Sequence, residues 1–338
     1  MFERILVTLD GSAASEAALP AAAAIAGALG STLILAHIVE ARPPRTVHGE
    51  PHLAEALSAA AYLEQKAAEL RTRGLAVETH VHESGASPAG GSPAGGSAGG
   101  AARSGPDAAA DAPPGVAQRE MAGTIARHAA ELGFDLAVMA VHGRRGAGDW
   151  LASSLPFRVA AAGCAPVYLV RAPRDEGRGP GWQPPRSIML PLDGRAEHEA
   201  AVAPATALAR AFGIPVEVLG VVPKRASDAL GGGAILGRLN PALDRASLDY
   251  AAKGTETYLA TMASRLSSDG VEASWGLVRG RPTKVILRKA AEEGALVVLA
   301  THRKLGVDAA LDGCVSYTVA TAYEGDSLVA PIARCGSD

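Results

Sequence analysis

LAVMAVHGRRGAGDWLASS, residues 136–154, is the stretch from which the rest of the chain can be read. Leu136 to Val141 form an unbroken apolar run without helical spacing. Such a run predicts a strand buried on both faces, as in a parallel sheet covered by helices. His142 and Gly143 end the run and open a loop that carries Gly143, Gly146 and Gly148. Ser153 and Ser154 then precede Pro156, which suits a first helical turn because its missing N–H is not needed there. Strand, glycine loop and hydroxyl-bearing helix start make an anion cradle: glycines admit a phosphate to the backbone, and free N–H groups favour negative charge. An ordinary βα connection has the same outline, so the loop alone leaves both readings open.

The 338 residues suffice for two domains, each with its own core. Hydrophobic residues make up 48% and aromatics only 4%, so the cores are built from Ala, Val, Leu and Ile, which points to an α/β chain. A net charge of −3 argues against non-specific nucleic-acid binding driven by phosphate neutralisation. Cys164, Cys314 and Cys335 are far apart, odd in number and without a CxxC pattern, so free thiols in a reducing cytosol are expected. MFERILVTLDG has no signal-type apolar region, and no run approaches the ~18 apolar residues of a membrane span. A cytoplasmic chain without membrane contact is the expectation.

Taken in order, Arg4–Leu9 predicts a buried strand closed by Asp10-Gly11-Ser12, with Ser12 or Ser15 capping an Ala-rich helix that stops near Gly30. Thr32–Val39 predicts a second strand, Arg42–Pro51 a loop, His52–Arg73 a helix and Leu75–His82 a third strand. Residues 84–115 are almost wholly Gly, Ala, Ser and Pro, which predicts a flexible, disordered insertion. A helix over Gln118–Leu132, the Leu136 strand, a helix over Leu155–Ala162 and a strand at Val167–Val170 complete the unit, and residues 172–186 form a Pro/Gly-rich linker.

The pattern then repeats. Arg4–Val39 lies over Ser187–Val222 at a constant offset of 183, so ILVTLDG matches IMLPLDG, Gly30 matches Gly213 and Asp10 matches Asp193. Leu136–His142 lies over Leu296–His302 at an offset of 160. The difference between the offsets leaves 23 extra residues in the first copy, which the insertion supplies. Each copy reads β-α-β-α-β-α-β-α-β, which predicts two doubly wound parallel five-stranded sheets in tandem, Rossmann-like, with right-handed crossovers. The domains are then residues 1–171 and 187–333. In such sheets ligands sit beyond the carboxyl ends of the strands where the order reverses, so Asp10, Ile38 and the glycine loop converge on one crevice.

At these residues the chain resembles the universal stress protein family in its tandem form, over nearly all but the insertion and linker. Nucleotide-binding members carry an Asp after strand one, then Gly, two residues, Gly, nine residues, and Gly before Ser or Thr. Here the first copy reads Ala140-Val-His-Gly143, nine residues, then Ser153-Ser154. The resemblance implies an adenine nucleotide hydrolase-like fold and a stress-response protein that binds ATP (with Mg²⁺) or AMP, chiefly in the first copy. Asp10, beside Leu9, would bind ribose and Ile38 would present backbone to adenine. Gly143, Ser153 and Ser154 would hold phosphates, with Ala140 and His142 lining the crevice. In the second copy Asp193 and Val221 persist, but Ala300, Arg303, Gly313 and Cys314 occupy the motif positions, so that copy is read as degenerate. The resemblance also implies pairing through the last strand of each unit. Val167–Val170 and Leu328–Ile332 would meet in one chain as an internal pseudo-dimer, with a homodimer left open.

Arg144 and Arg145 flank the glycine loop as a phosphate clamp or as a solvated basic loop. His80 and His82 share one strand face at a spacing that permits metal ligation, but with no third ligand placed they read as a polar sheet edge and no metal site is expected. No GxSxG or GxxxxGK[ST] motif is present, and no catalytic residue is assigned. Three functions remain: a nucleotide binder; a scaffold or partner module whose pockets have decayed; and, least supported, a slow ATPase, for which no Mg²⁺ carboxylate pair is evident.

Overall fold

The computed structural model describes residues 1–39, 46–47, 50–51, 55–83, 116–141, 155–172, 182–224, 241–302 and 314–332. The tract at 84–115, the glycine loop 142–154 and most of the linker lie outside the described residues.

The first half opens with strand β1 (Arg4–Thr8). Ser12 is the N-cap of a single turn, α1 (Ala13–Glu16), and its side chain accepts from the Ser15 N–H. Helix α2 (Leu19–Leu29) ends on Gly30, whose φ of 69° is the left-handed conformation that closes a helix without a Cβ penalty. Next come β2 (Thr32–Val39), β3 (Thr46–Val47), β4 (Glu50–Pro51), α3 (Ala56–Arg71) and β5 (Ala76–Glu83). The expected loop at Arg42–Pro51 thus contains a two-residue antiparallel bridge, Thr46 opposite Pro51 and Val47 opposite Glu50. Helix α4 (Val116–Leu132), β6 (Leu136–Val141), α5 (Leu155–Ala162) and β7 (Val167–Arg171) complete the half. The second half runs β8 (Ile188–Pro191), a 3₁₀ turn (Ala196–Ala201), α6 (Val202–Phe212), β9 (Val216–Val222), α7 (Pro241–Ser268), β10 (Ala273–Arg279), α8 (Pro282–Glu293), β11 (Leu296–Thr301), α9 (Val315–Ala322) and β12 (Ser327–Pro331). Gly213 ends α6 with φ 63°, the same device as Gly30.

The ten long strands form one sheet in the order β10-β9-β8-β11-β12-β7-β6-β1-β2-β5. Pairing within each half is parallel, and the halves join where β12 runs antiparallel to β7, Leu328 opposite Tyr168. The two five-stranded sheets read from the repeat are therefore the halves of one continuous sheet. The duplication is exact in register: Ile5 pairs Leu136 as Ile188 pairs Leu296, and Ala137 pairs Val167 as Val297 pairs Ser327.

Both faces of the sheet are covered, which is why its strands are apolar at consecutive positions. Ile5 and Val7 join a core on one face that continues into the second half, whereas Leu6 faces a second core with Ala137 and Met139. Met189, Leu219 and Val297 form the corresponding core of the second half. The junction is closed by a polar network. Asp326 accepts from the Tyr168 hydroxyl (3.1 Å), the Trp182 indole (2.6 Å) and the Arg171 N–H (2.9 Å). The Arg171 guanidinium in turn donates to the Ala320 and Thr321 carbonyls at the end of α9. Trp182, inside the stretch read as a linker, thus packs at the junction and lies 6.4 Å from Phe212 ring to ring.

Candidate functional site

Each half reverses strand order beside its first strand: β2 and β6 flank β1, and β9 and β11 flank β8. The chain leaving β1 or β8 therefore emerges between two diverging neighbours and opens a cleft at the carboxyl ends. In the second half this cleft is a crevice of about 410 Å³ lined by Asp193 after β8, Leu219 and Val221 of β9, Ile286 of α8, Leu299 and Ala300 of β11, and the start of α9. Its lining combines apolar Leu219, Val221, Ile286 and Leu299 with polar Asp193, Arg195, His198 and His302.

Those groups are already linked to one another. Asp193 Oδ1 accepts from the Arg195 N–H (3.1 Å) and pairs with His198 Nδ1 (2.7 Å). His198 Nε2 lies 3.0 Å from His302 Nε2, so one ring donates and the other accepts. Glu197 Oε1 stands 3.6 Å from His302 Nε2 and 3.9 Å from Arg195 Nη1. Ligand atoms of Glu197, His198 and His302 lie within 4.8 Å of one another. Imidazoles suit zinc-like ions, whereas Mg²⁺ takes oxygen ligands and waters, so these donors do not make a Mg²⁺ site. At the far wall Cys314 is the N-cap of α9 without a side-chain cap bond, and its Sγ lies 3.3 Å from Ser316 Oγ. The replacement of a serine by Cys314 thus leaves the first turn of α9 facing the crevice without a hydroxyl cap.

In the first half Asp10, Ile38 and Ala140 occupy the matching places around the end of β1. Asp10 Oδ1 accepts from both the N–H (2.9 Å) and the hydroxyl (2.6 Å) of Ser12, and the Asp10 N–H donates to Ser15 Oγ. The carboxylate is thereby built into the turn that starts α1. The Leu9 carbonyl lies 2.7 Å from His37 Nδ1 of buried β2. His142, Gly143, Arg144, Arg145, Ser153 and Ser154 fall outside the described residues, as do Arg303 and Gly313 of the second half. Of the positions singled out in the sequence, the structure brings together Asp193, Val221, Ala300, His302 and Cys314.

Glu197, Arg195 and His198 were not among those positions. The only hint is the acidic and histidine-bearing run Arg195-Ala-Glu-His198 directly after the strand-one Asp, and its meaning depends on where the 3₁₀ turn aims His198. Among the described residues no helix is long and apolar enough to cross a membrane. Among the described residues no disulfide involves Cys164 or Cys314, the Cys164 thiol donates to the Ala126 carbonyl (3.8 Å), and Cys335 lies outside the described residues.

Similar architectures are found among solved structures. A protein of unknown function from Pseudomonas aeruginosa PAO1 overlies 98% of this chain and 92% of its own length, with TM-score 0.58 and 18% identity. A universal stress protein from Archaeoglobus fulgidus DSM 4304 overlies 99% of this chain and 97% of its own, with TM-score 0.58 and 12% identity. At such identities the likeness speaks to the fold. No curated protein matches the sequence. The sequence profile of the universal stress protein family matches residues 1–91 and 185–331, one segment in each half and together more than half of the chain. With a Rossmann-like unit duplicated in register and matched twice by that profile, the chain belongs to the universal stress protein family.

Proposed function

We propose that this chain is a stress-response protein that holds an adenine nucleotide, ATP or AMP, beyond the carboxyl ends of its strands and acts as a binder. The family resemblance puts the nucleotide chiefly in the first half, but its glycine loop lies outside the described residues, so the observation that carries the reading is the crevice at the end of β8. Its 410 Å³ lies within the roughly 300–1,000 Å³ of small-ligand sites. Leu219, Val221, Ile286 and Leu299 offer an apolar slot for a base. Asp193 offers an acceptor for ribose hydroxyls, and the first turn of α9 offers N–H groups to phosphate. Arg303 and Gly313 belong to the same set by motif position. In the first half the reading assigns Asp10, Ile38 and Ala140, with His142, Gly143, Ser153 and Ser154 holding phosphates beside Arg144 and Arg145. Mg²⁺ would arrive with ATP, held by phosphate oxygens. The units are residues 1–171 and 187–333 joined by 172–186, and a cytoplasmic location goes with three widely separated cysteines without a CxxC pattern.

Titration calorimetry with ATP, AMP and cyclic AMP tests the binding. Ala300→Phe fills the second crevice and Ala140→Phe the first. Binding that falls by about tenfold or more in one variant, a loss of ~1.4 kcal/mol, assigns the nucleotide to that half. Absence of heat at millimolar nucleotide overturns the reading and favours the second one, a partner scaffold. That alternative is motivated by Asp193, whose carboxylate is already engaged by His198 and Arg195. Phosphate release that persists unchanged in both variants would come from a contaminant and not from this chain.

A further inference from the structure

We infer that His80, His82 and His128 form a site for a divalent transition metal of zinc's class, which ties the edge strand β5 to helix α4. His80 and His82 alternate with Val81, so both side chains leave β5 on one face. In the parallel register they stand beside Ala36 and Ile38 of β2, on the face whose core contains Ala122 and Ile125 of α4. Helix α4 therefore covers the same face and delivers the third imidazole. His128 Nε2 lies 2.7 Å from His82 Nδ1, and the His128 ring centroid is 4.3 Å from that of His82 and 5.3 Å from that of His80. One ring nitrogen from each histidine lies within 4.8 Å of the other two. Zn–N bonds of about 2.0–2.1 Å in tetrahedral array set ligand nitrogens about 3.3 Å apart, so small ring rotations close the site.

Two observations separate this cluster from a polar sheet edge. Among the described residues the buried His80 Nε2 has no hydrogen-bond partner, a costly state that ligation through this nitrogen would relieve. His128 Nδ1 is paired with Glu131 at 2.5 Å, the carboxylate–histidine arrangement that orients a metal-bound imidazole and raises its basicity. With the Nδ1 proton directed to Glu131, His128 Nε2 presents a lone pair. In the 2.7 Å contact His82 Nδ1 supplies the proton to it. On ligation that proton moves to His82 Nε2, so both facing nitrogens bind the ion and no net proton leaves a neutral pair. Burial and the neighbouring His128 hold His80 and His82 below the usual histidine range, and the Arg127 charge acts on His82 in the same direction. Arg127 opposes a cation, although its guanidinium is turned to Thr124 Oγ1 (2.9 Å), and Glu131 opposes Arg127. Three imidazoles and no thiolate suit Zn²⁺, Co²⁺, Ni²⁺ or Cu²⁺ rather than Mg²⁺ or Ca²⁺, and leave a fourth position for water.

The consequence is topological. His82 stands two residues before the Gly/Ala/Ser/Pro tract and His128 a few turns after it, 46 residues apart. One ion would clamp the chain on both sides of that tract.

The test uses the tag-free full-length chain, stripped with chelator and titrated with Zn²⁺ or Co²⁺ in the absence of nucleotide. Expected are one equivalent bound at this site, the visible bands of near-tetrahedral Co²⁺, and a rise in Tm of about 5 °C at zinc well above Kd. His80→Ala, His82→Ala and His128→Ala should each remove that equivalent and the bands, and Glu131→Gln should weaken zinc by about tenfold or more. His302→Ala, which dismantles the other histidine pair, should leave them in place. Circular dichroism of His80→Gln and His128→Gln checks that loss of metal is not loss of fold. The proposal is overturned if the wild type takes up no metal, if folded histidine variants keep the same uptake, or if His302→Ala abolishes it.

Discussion

Replacing Asp326 by alanine should cost the fold about 3–5 kcal/mol in a urea unfolding series, among the largest losses available to a single polar substitution. Three donors converge on this carboxylate: the Tyr168 hydroxyl, the Trp182 indole and the Arg171 N–H. Tyr168 is fully buried, so its hydroxyl has no water to turn to. Each donor left without an acceptor costs roughly 1–3 kcal/mol, and two of the three sit on β7 and the third in the stretch between the halves. The variant should also broaden the transition, because the halves lose one of the polar contacts that couple them and keep the Arg171 bonds to Ala320 and Thr321. Tyr168→Phe, which removes one donor and leaves the acceptor satisfied by two others, should cost only about 1 kcal/mol. An Asp326→Ala variant within 1 kcal/mol of wild type would remove the network from any role in holding the halves together.

The same residue makes a signed pH prediction. Burial raises the Asp326 carboxyl above its ordinary value of 3.8, in spite of the donors from Arg171, Trp182 and Tyr168 that act to lower it. The folded chain thus holds this proton more tightly than the unfolded chain. The resulting stabilisation is complete below 3.8 and is lost as pH rises through the raised folded value. Asp326→Asn cannot titrate. The stability of wild type relative to Asp326→Asn should therefore be greatest in acid, decline as pH rises past 3.8, and level off above the folded value. A difference that grows with pH would contradict the assignment.

Gly220→Val should cost about 2–3 kcal/mol by overpacking. A Cβ built on Gly220 comes within 2.5 Å of Leu259 Cδ1, 2.9 Å of Leu277 Cδ1 and 3.2 Å of Thr255 Cγ2. All three are side-chain tips, so Gly220→Ala can be absorbed by rotation at about 1 kcal/mol. Valine adds two methyls where the tips have already moved. Strand β9 lies between β8 and β10 and has no lateral freedom, so the higher strand propensity of valine does not compensate. Thermal unfolding of the two variants should rank Val well below Ala, and equal stability would show that α7 yields. The corresponding residue of the first half is His37, buried and tied to the Leu9 carbonyl, so the position is filled there from its own strand.

Much of the architecture was legible because it is written in local signals that repeat. Leu136–Val141 and Leu296–Thr301 are apolar at consecutive positions, and both turned out to be inner strands covered on two faces. Gly30 and Gly213 marked helix ends and the constant offsets carried over into strand register, but Ser12 caps the separate turn α1, and the Ala-rich helix α2 starts from Ala18 with no side-chain cap. Pairing of β7 with β12 followed from the family resemblance and is observed. What stayed hidden depends on encounters between distant residues. His80 and His82 lacked a third ligand because His128 reaches them only once α4 has crossed the sheet. Asp326 carried no reading in the sequence, and only the junction of the halves gives it three donors. Arg195–His198 carried no period or motif, yet the 3₁₀ turn swings His198 over the mouth of the second crevice. Asp10 follows β1 as the motif reading has it, and the sequence did not show that the Ser12 N–H and hydroxyl both donate to one of its oxygens.

The antiparallel join of β7 to β12 bears on self-association. An unpaired outer strand is a template on which another chain can extend the sheet. Here each half has used one such strand on the other, so among the described residues the sheet terminates only at β5 and β10, unlike in composition and far apart. At one end stand His80, His82 and Glu78, and at the other the partly exposed Trp275 and the Arg279–Asp249 ion pair. Growth by strand addition would have to begin at one of these two dissimilar borders, and a copy docking there would meet either a row of histidines or an indole.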